Sequence, residues 1–134
     1  MKIHDNHTEE FSFTQEQVVA FAEISGDKNP IHLDPEFAEK SFFKTTIMHG
    51  FLTGSVFSKI IGMYFPGEGS IYLKQDLSFH RPMFVDNIYV ATVSITDIDF
   101  DKKHLVLNTQ ITDKNTGKPT ISGSALVFYP PMTK

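Results

Sequence analysis

In the decapeptide GDKNPIHLDP, residues 26–35, a carboxylate and an imidazole stand five positions apart, Asp27 and His32, with Asn29 between them. Such a pair can share one water: one group takes its proton while the other orients the oxygen or returns a proton. This chemistry requires the two side chains to meet. A five-residue offset on one continuous helix would put them on poorly matched faces. Gly26 and Pro30 work against such a helix, because proline fixes its own φ and drives the preceding residue, Asn29, out of the helical region. A stiff bend of this kind can hold both groups at one point, with the Asn29 side chain bracing the loop or helping to place the water. Taken by itself, the decapeptide also fits a plain turn, with Asp27 as turn former and His32 at the surface.

A second segment, Met48-His49-Gly50, adds what the first lacks. Gly50 stands where a long apolar helix begins, so its N–H is one of the donors left free at a helix N-terminus, and the helix dipole adds positive potential there. A thioester carbonyl placed at that point would be polarised, and the enolate-like charge developing on its oxygen would be stabilised. An acid/base pair plus an oxyanion donor is the set needed to add water to an α,β-unsaturated acyl group. His49 is expected to make local hydrogen bonds beside this turn. It could instead join His32 and Asp34 in a metal site, but no H-x-x-x-H or similar ligand spacing exists, so neither a metal nor any other cofactor is expected.

The elements that must position these groups follow from the patterning. TQEQVVAFAEISG, residues 14–26, opens with a capping box (Thr14, Gln17), carries Val18, Phe21 and Ala22 on one face, and ends at a glycine suited to a left-handed cap. DPEFAEKSFF suggests a second short helix capped by Asp34. HGFLTGSVFSKIIGMYFPG is the longest helix candidate, apolar around most of its circumference with Lys59 its only charge, as expected of a buried helix. Gly50, Gly54, Ser58 and Gly62 recur along it every four residues, a stripe where a neighbour can approach the backbone closely. From Ser70 onward the period is close to two: a strand over residues 71–80, then NIYVATVSITDI, HLVLNTQIT and TISGSALVFY, the last two joined by a hairpin turn at Gly117. A short strand near EEFSFT brings the total to about five antiparallel strands. Five strands can bury such a helix only by curling around it, so the expected class is α+β, a hot-dog fold filling residues 1–134 as one domain.

Composition removes several alternatives. The formal net charge is −4 and Arg81 is the only arginine, so no basic face for nucleic acid is expected. Without cysteine there is no disulfide, thiolate catalysis or Cys-ligated zinc. No apolar run approaches the ~20 residues of a membrane span, and the polar, acidic N-terminus is unlike a signal peptide, so a cytoplasmic location is the expectation. His4, His7, His80 and His104 read as solvated and Arg81 as a surface residue, while Phe11, Phe37 or Phe57 could face an acyl chain.

GDKNPIHLDPEFA closely resembles the D-x-N-P-x-H motif of the MaoC-like (R)-specific enoyl-CoA hydratases, and the resemblance continues through MHGFLTGSVFSKIIG and GSIYLKQDLSFHRPMFVDN, covering most of residues 18–90. The match is closest to the short, single-hot-dog hydratases that supply (R)-3-hydroxyacyl-CoA for polyester synthesis. The resemblance implies that Asp27 and His32 activate water, that the Gly50 N–H holds the thioester carbonyl, and that Ser58 lines the site. It also implies a homodimer with acyl-CoA bound along the subunit interface. The sequence departs from the family at Thr46, usually proline, and at Val85-Asp86-Asn87, usually valine–glycine–aspartate. A dehydratase acting on acyl-carrier-protein thioesters runs the same reaction in reverse and shares the pantetheine arm. A hot-dog thioesterase would share the helix end but gives no reason for the D-x-N-P-x-H loop, and a non-catalytic acyl-binding module gives no reason for a paired acid and base.

Overall fold

The computed structural model describes residues Met1–Lys134. The first helix, α1 (Gln15–Ser25), follows a six-residue strand, β1 (Asn6–Phe11). Thr14 caps α1 as its sequence suggests: its side chain accepts from the Gln17 N–H while the Gln17 side chain accepts from the Thr14 N–H. Gly26 closes the helix at φ 81°, its N–H returning to the Ala22 carbonyl, and Val18 and Ala22 face the core. Two one-turn helices come next, α2 (Pro30–Leu33) and α3 (Pro35–Glu39), each with proline in its first turn. Asn29 caps α2 by accepting from the Ile31 N–H, and Asp34 caps α3 by accepting from Glu36 and Phe37. The expected DPEFAEKSFF helix therefore stops at Glu39, and the bend at Pro30 contains a turn of helix of its own.

After α4 (Gly50–Met63) the chain enters β2 (Ile71–Gln75), β3 (Ser78–Phe79), β4 (Tyr89–Asp99), β5 (His104–Asp113) and β6 (Pro119–Phe128). The strands form one antiparallel sheet in the order β1-β4-β5-β6-β2, with β3 also pairing β6. The first strand lies earlier than EEFSFT, because pairing with β4 extends from Asn6 to Phe11. The strand expected over residues 71–80 is two strands. At its break, Asp76 crosses over Gly123, the Asp76 N–H donating to the Ser124 carbonyl and its Oδ1 accepting from the Ser124 N–H. A methyl at position 123 would sit 1.9 Å from the Asp76 carbonyl oxygen. Only glycine admits this crossing.

Alternation places Tyr89, Ala91, Val93 and Ile95 of β4, Leu105, Leu107 and Ile111 of β5, and Ile121, Ala125 and Val127 of β6 on one buried face. That face packs on Leu52, Val56, Phe57, Ile60 and Ile61 of α4 in one core of 19 residues. Each of the larger side chains contributes about 1.5–3 kcal/mol by leaving water. A long helix seated on the buried face of an antiparallel sheet is the hot-dog arrangement. Burial of α4 is one-sided, however, contrary to its all-round apolar sequence: Phe51 is 73% and Met63 69% exposed, and Ser58 and Tyr64 also face outward. One sheet covers one face of a helix, and only a few side chains of the chain reach the other.

His7 and Glu9 tie β1 to that outer face. The His7 ring stacks parallel on Tyr64 at 5.5 Å, and Glu9 pairs with Lys59. Burial alone would raise the Glu9 carboxyl, but the hydrogen bonds from Lys59 and His7 hold it below the usual carboxylate range. Asp86, standing where glycine is usual, adopts φ 60°, and its neighbour Asn87 bonds Asp113 and Asn115 across the β5–β6 hairpin.

Gly123→Ala should destabilise the protein by about 3 kcal/mol or more, beyond ordinary overpacking, because the obstructing atom is backbone. Urea unfolding measures this.

Candidate active site

The site is assembled at one short segment, residues 47–50, which leads into α4. The Ile47 N–H donates to the Ile31 carbonyl at 3.2 Å, fastening this segment to α2. The Ile47 carbonyl in turn accepts from Nδ1 of His32 at 2.8 Å. With its proton on Nδ1, neutral His32 carries a lone pair on Nε2. That atom faces Asp27 Oδ2 at 3.9 Å, too far for a direct hydrogen bond. A water 2.8 Å from each acceptor would subtend about 90° at its oxygen, close enough to its own H–O–H angle to donate to both.

Asp27 is held from several sides. Its N–H donates to Ser25 Oγ, its Oδ1 accepts from the Asn29 N–H, and its carbonyl accepts from Nε2 of His49 at 2.9 Å. Oδ2 is left for the water, and the carboxylate is about half exposed, 52%. His49 is 2% exposed and stacks on His32 with ring centroids 3.9 Å apart, with Phe21 edge-on to its ring at 4.9 Å. With its proton on Nε2, its Nδ1 is buried without a partner.

The third component is Gly50. It begins α4, and neither its N–H nor those of Phe51 and Leu52 donate to another group of the chain. His32 and Gly50 share a cavity of about 470 Å³ whose other walls include Phe43, Met48, Phe51, Phe79 and Met83. The cavity is mainly apolar with a polar end, a form suited to an acyl chain carrying a reactive head. Phe79 of β3 lies directly over Gly50, where an added Cβ would come within 2.6 Å of its ring, and Leu77 lies 3.2 Å from a Cβ at Gly54. The small residues at 50 and 54 thus admit the β2–β3 segment onto the head of α4.

Of the residues singled out in the sequence, Asp27, His32, His49 and Gly50 come together. Asn29 acts on the backbone as the cap of α2, and neither it nor His49 nor Asp27 lines the cavity, Asp27 standing behind His32 at its edge. Ser58 lies two turns along α4 on the exposed side, outside the cavity. Asp34 is occupied as the cap of α3, so it does not join His32 and His49. Asp27 takes its place in a trio whose candidate ligand atoms lie within 4.8 Å of one another. Each imidazole already gives one nitrogen to a backbone carbonyl, His32 Nδ1 to Ile47 and His49 Nε2 to Asp27, so each could offer an ion only its other nitrogen. The phenylalanines at the cavity are Phe43, Phe51 and Phe79 rather than Phe11, Phe37 or Phe57. His80 and Arg81 also line it, bonded to Ser122 Oγ and the Pro119 carbonyl respectively. No single periodicity marks these residues, since they come from loops, a two-residue strand and the first turn of α4.

Comparison with known proteins bears on the family and the fold. The model of the MaoC-like domain matches residues 4–116. An (R)-specific enoyl-CoA hydratase of Aeromonas caviae is 43% identical over 118 residues, covering 88% of this chain and 87% of that protein. A mitochondrial 3-hydroxyacyl-[acyl-carrier-protein] dehydratase of Arabidopsis thaliana is 33% identical, covering 97% and 78% respectively. The solved (R)-hydratase of Aeromonas caviae, involved in PHA biosynthesis, superposes with a TM-score of 0.93 at 39% identity, covering 97% of this chain and 98% of that one. An unliganded (R)-hydratase of Pseudomonas aeruginosa gives 0.90 at 30% identity, covering 97% and 83%.

Gly50→Ala should cost about 1 kcal/mol, since the ring it displaces is half exposed and can turn away. In a Phe79→Ala background the same change should be close to neutral, giving a measurable coupling in a double-mutant cycle followed by urea unfolding.

Proposed function

Since the chain belongs to the MaoC-like domain family, we propose that it catalyses the reversible hydration of trans-2-enoyl-CoA to (R)-3-hydroxyacyl-CoA, a hydro-lyase reaction. The observation that carries this reading is the 3.9 Å gap between Asp27 Oδ2 and His32 Nε2, beside the cavity that Gly50 also lines. A water in that gap donates to both groups. As its oxygen bonds to C3 of the substrate, one of the pair takes a proton from it. Electron density moves to the thioester oxygen, where the Gly50 N–H and the positive end of α4 stabilise the enolate. Collapse of the enolate with return of the proton to C2 completes the addition of one water, with Asp27 and His32 restored. The (R) outcome rests on the family relationship.

The carrier-protein thioester is a second reading, supported by the Arabidopsis relative named as an acyl-carrier-protein dehydratase. Both carriers end in the same pantetheine arm, so the cavity accepts either. Crotonyl-CoA and crotonyl-carrier protein, followed by loss of enoyl absorbance and chiral analysis of the product, distinguish them by their kcat/KM. Release of free CoA with the double bond intact would instead identify a thioesterase.

Asp27→Asn and His32→Gln should each lower kcat by about 10²–10⁴-fold. The double variant should be little worse, because two groups acting on one water do not contribute independently. The melting temperature should stay near wild type. Full activity in Asp27→Asn would refute the mechanism.

The homodimer implied by the family also finds support in the surface. Phe51, Met63 and Tyr64 of α4, with Ile71, Leu73 and Phe79 nearby in sequence on β2 and β3, leave many large apolar side chains exposed. A second copy over α4 would cover them and enclose Ser58 as part of the site. Met63→Asp should then shift the protein toward monomer by light scattering and reduce its activity in parallel, whereas a wild-type protein fully active as a monomer would overturn the assembly.

A further inference from the structure

His49 is a buried imidazole with one satisfied nitrogen and one that is not. At 2% exposure its Nδ1 has no partner, although a phenylalanine would fill the same space without any polar atom. A buried polar ring where an apolar one would fit calls for an explanation. The only hydrogen bond His49 makes from its ring is the one from Nε2 to the carbonyl of Asp27, across 22 positions of sequence. The other bonds that shape the Asp27 loop are local: Ser25 Oγ to the Asp27 N–H, Asp27 Oδ1 to the Asn29 N–H, and Asn29 Oδ1 to the Ile31 N–H. Local bonds set the shape of the loop. Its far end is fastened to the segment before α4 by the Ile47 N–H to Ile31 and His32 Nδ1 to Ile47 bonds, while at Asp27 itself the bond from His49 is the one that reaches across. His49 also immediately precedes Gly50, and its own carbonyl accepts from Thr53 in the first turn of α4.

We propose that His49 is a positioning residue: its Nε2–H, given to the Asp27 carbonyl, keeps the water-activating loop in register with the Gly50 N–H at the head of α4. The inference rests on the hydratase reading for its catalytic consequence but not for its structural one. Water addition requires the nucleophile and the carbonyl donor to be correct relative to each other, and a displacement near 1 Å can cost about 10²-fold in rate. One residue that grips the first group by its side chain and leads into the second by its backbone enforces that relation. The His32 ring, stacked on His49 at 3.9 Å between centroids, belongs to the same unit.

Two variants separate donation from filling. His49→Phe keeps a buried ring and loses the donor, while His49→Gln keeps an N–H at nearly the same reach. With crotonyl-CoA as substrate, His49→Phe should lower kcat by about 10²-fold, with KM changed less than about threefold, and His49→Gln should recover most of the loss. Hydrogen–deuterium exchange gives a readout independent of turnover: the backbone of residues 26–31 should exchange faster in His49→Phe and near the wild-type rate in His49→Gln. Should His49→Phe not fold, His49→Asn, whose amide is too short to reach the carbonyl, serves as the donor-loss variant with the same expectations. Equal kinetics and exchange in wild type and the donor-loss variant would overturn the proposal, as would equal impairment in the donor-loss variant and His49→Gln. A wild-type protein inert toward enoyl thioesters would defeat the hydratase reading, while the exchange experiment would still decide the tether.

Discussion

The hydrogen bond from His32 Nδ1 to the Ile47 carbonyl is the constraint around which the site is organised. It sets the tautomer, so that the Nε2 lone pair points toward Asp27, and it aims the ring plane at the gap between them. It also joins the bend at Pro30 to the segment that starts α4, reinforced by the Ile47 N–H to Ile31 carbonyl bond alongside it. Loosening this junction would remove neither Asp27 nor His32, yet the proposed acid/base pair and the Gly50 N–H would no longer share a frame. Backbone carbonyls are well suited to the task, because they are fixed by the fold and do not titrate in the working range.

That frame is stiff because the elements on either side cannot easily move. The loop before it is pinned by a glycine cap, two Asx-type side-chain bonds and two prolines, and each of these is local. The helix after it is held by its packing: Leu52, Val56, Phe57, Ile60 and Ile61 are locked against β4, β5 and β6, and shifting α4 by even part of a turn would open cavities across that face. The precision of a small polar site is thus borrowed from a large apolar contact.

The same helix is covered by its sheet on one side only within the chain. Its sequence is apolar on most sides, yet one sheet can satisfy only one face. The glycines at 50 and 54 admit Phe79 and Leu77, which partly roof the head of α4, while along its C-terminal half Met63 and Tyr64 remain largely exposed despite the contacts from His7 and Glu9. The crossing of Asp76 over Gly123 is a matching concession in the sheet: a strand of regular period is broken so that its second half can swing over the cavity.

The local features were legible in the sequence. Helix caps at Thr14, Gly26 and Asp34, the bend at Pro30 and the alternating strands after residue 80 follow from short-range sterics and hydrogen bonding, which a few neighbouring residues determine. The residue types also pointed to the proposed chemistry, since a carboxylate, an imidazole and a helix-initial glycine admit few joint uses. What tertiary structure alone decided are relations between distant segments. It chose Asp27 rather than Asp34 as the neighbour of His32 and His49, and Phe79 rather than Phe11, Phe37 or Phe57 as the roof of the cavity. It also broke residues 71–80 into two strands and left one side of α4 bare. Each of these depends on which surfaces meet in space, and hydrophobic period, which reports only whether a residue is buried, carries no information about its partner.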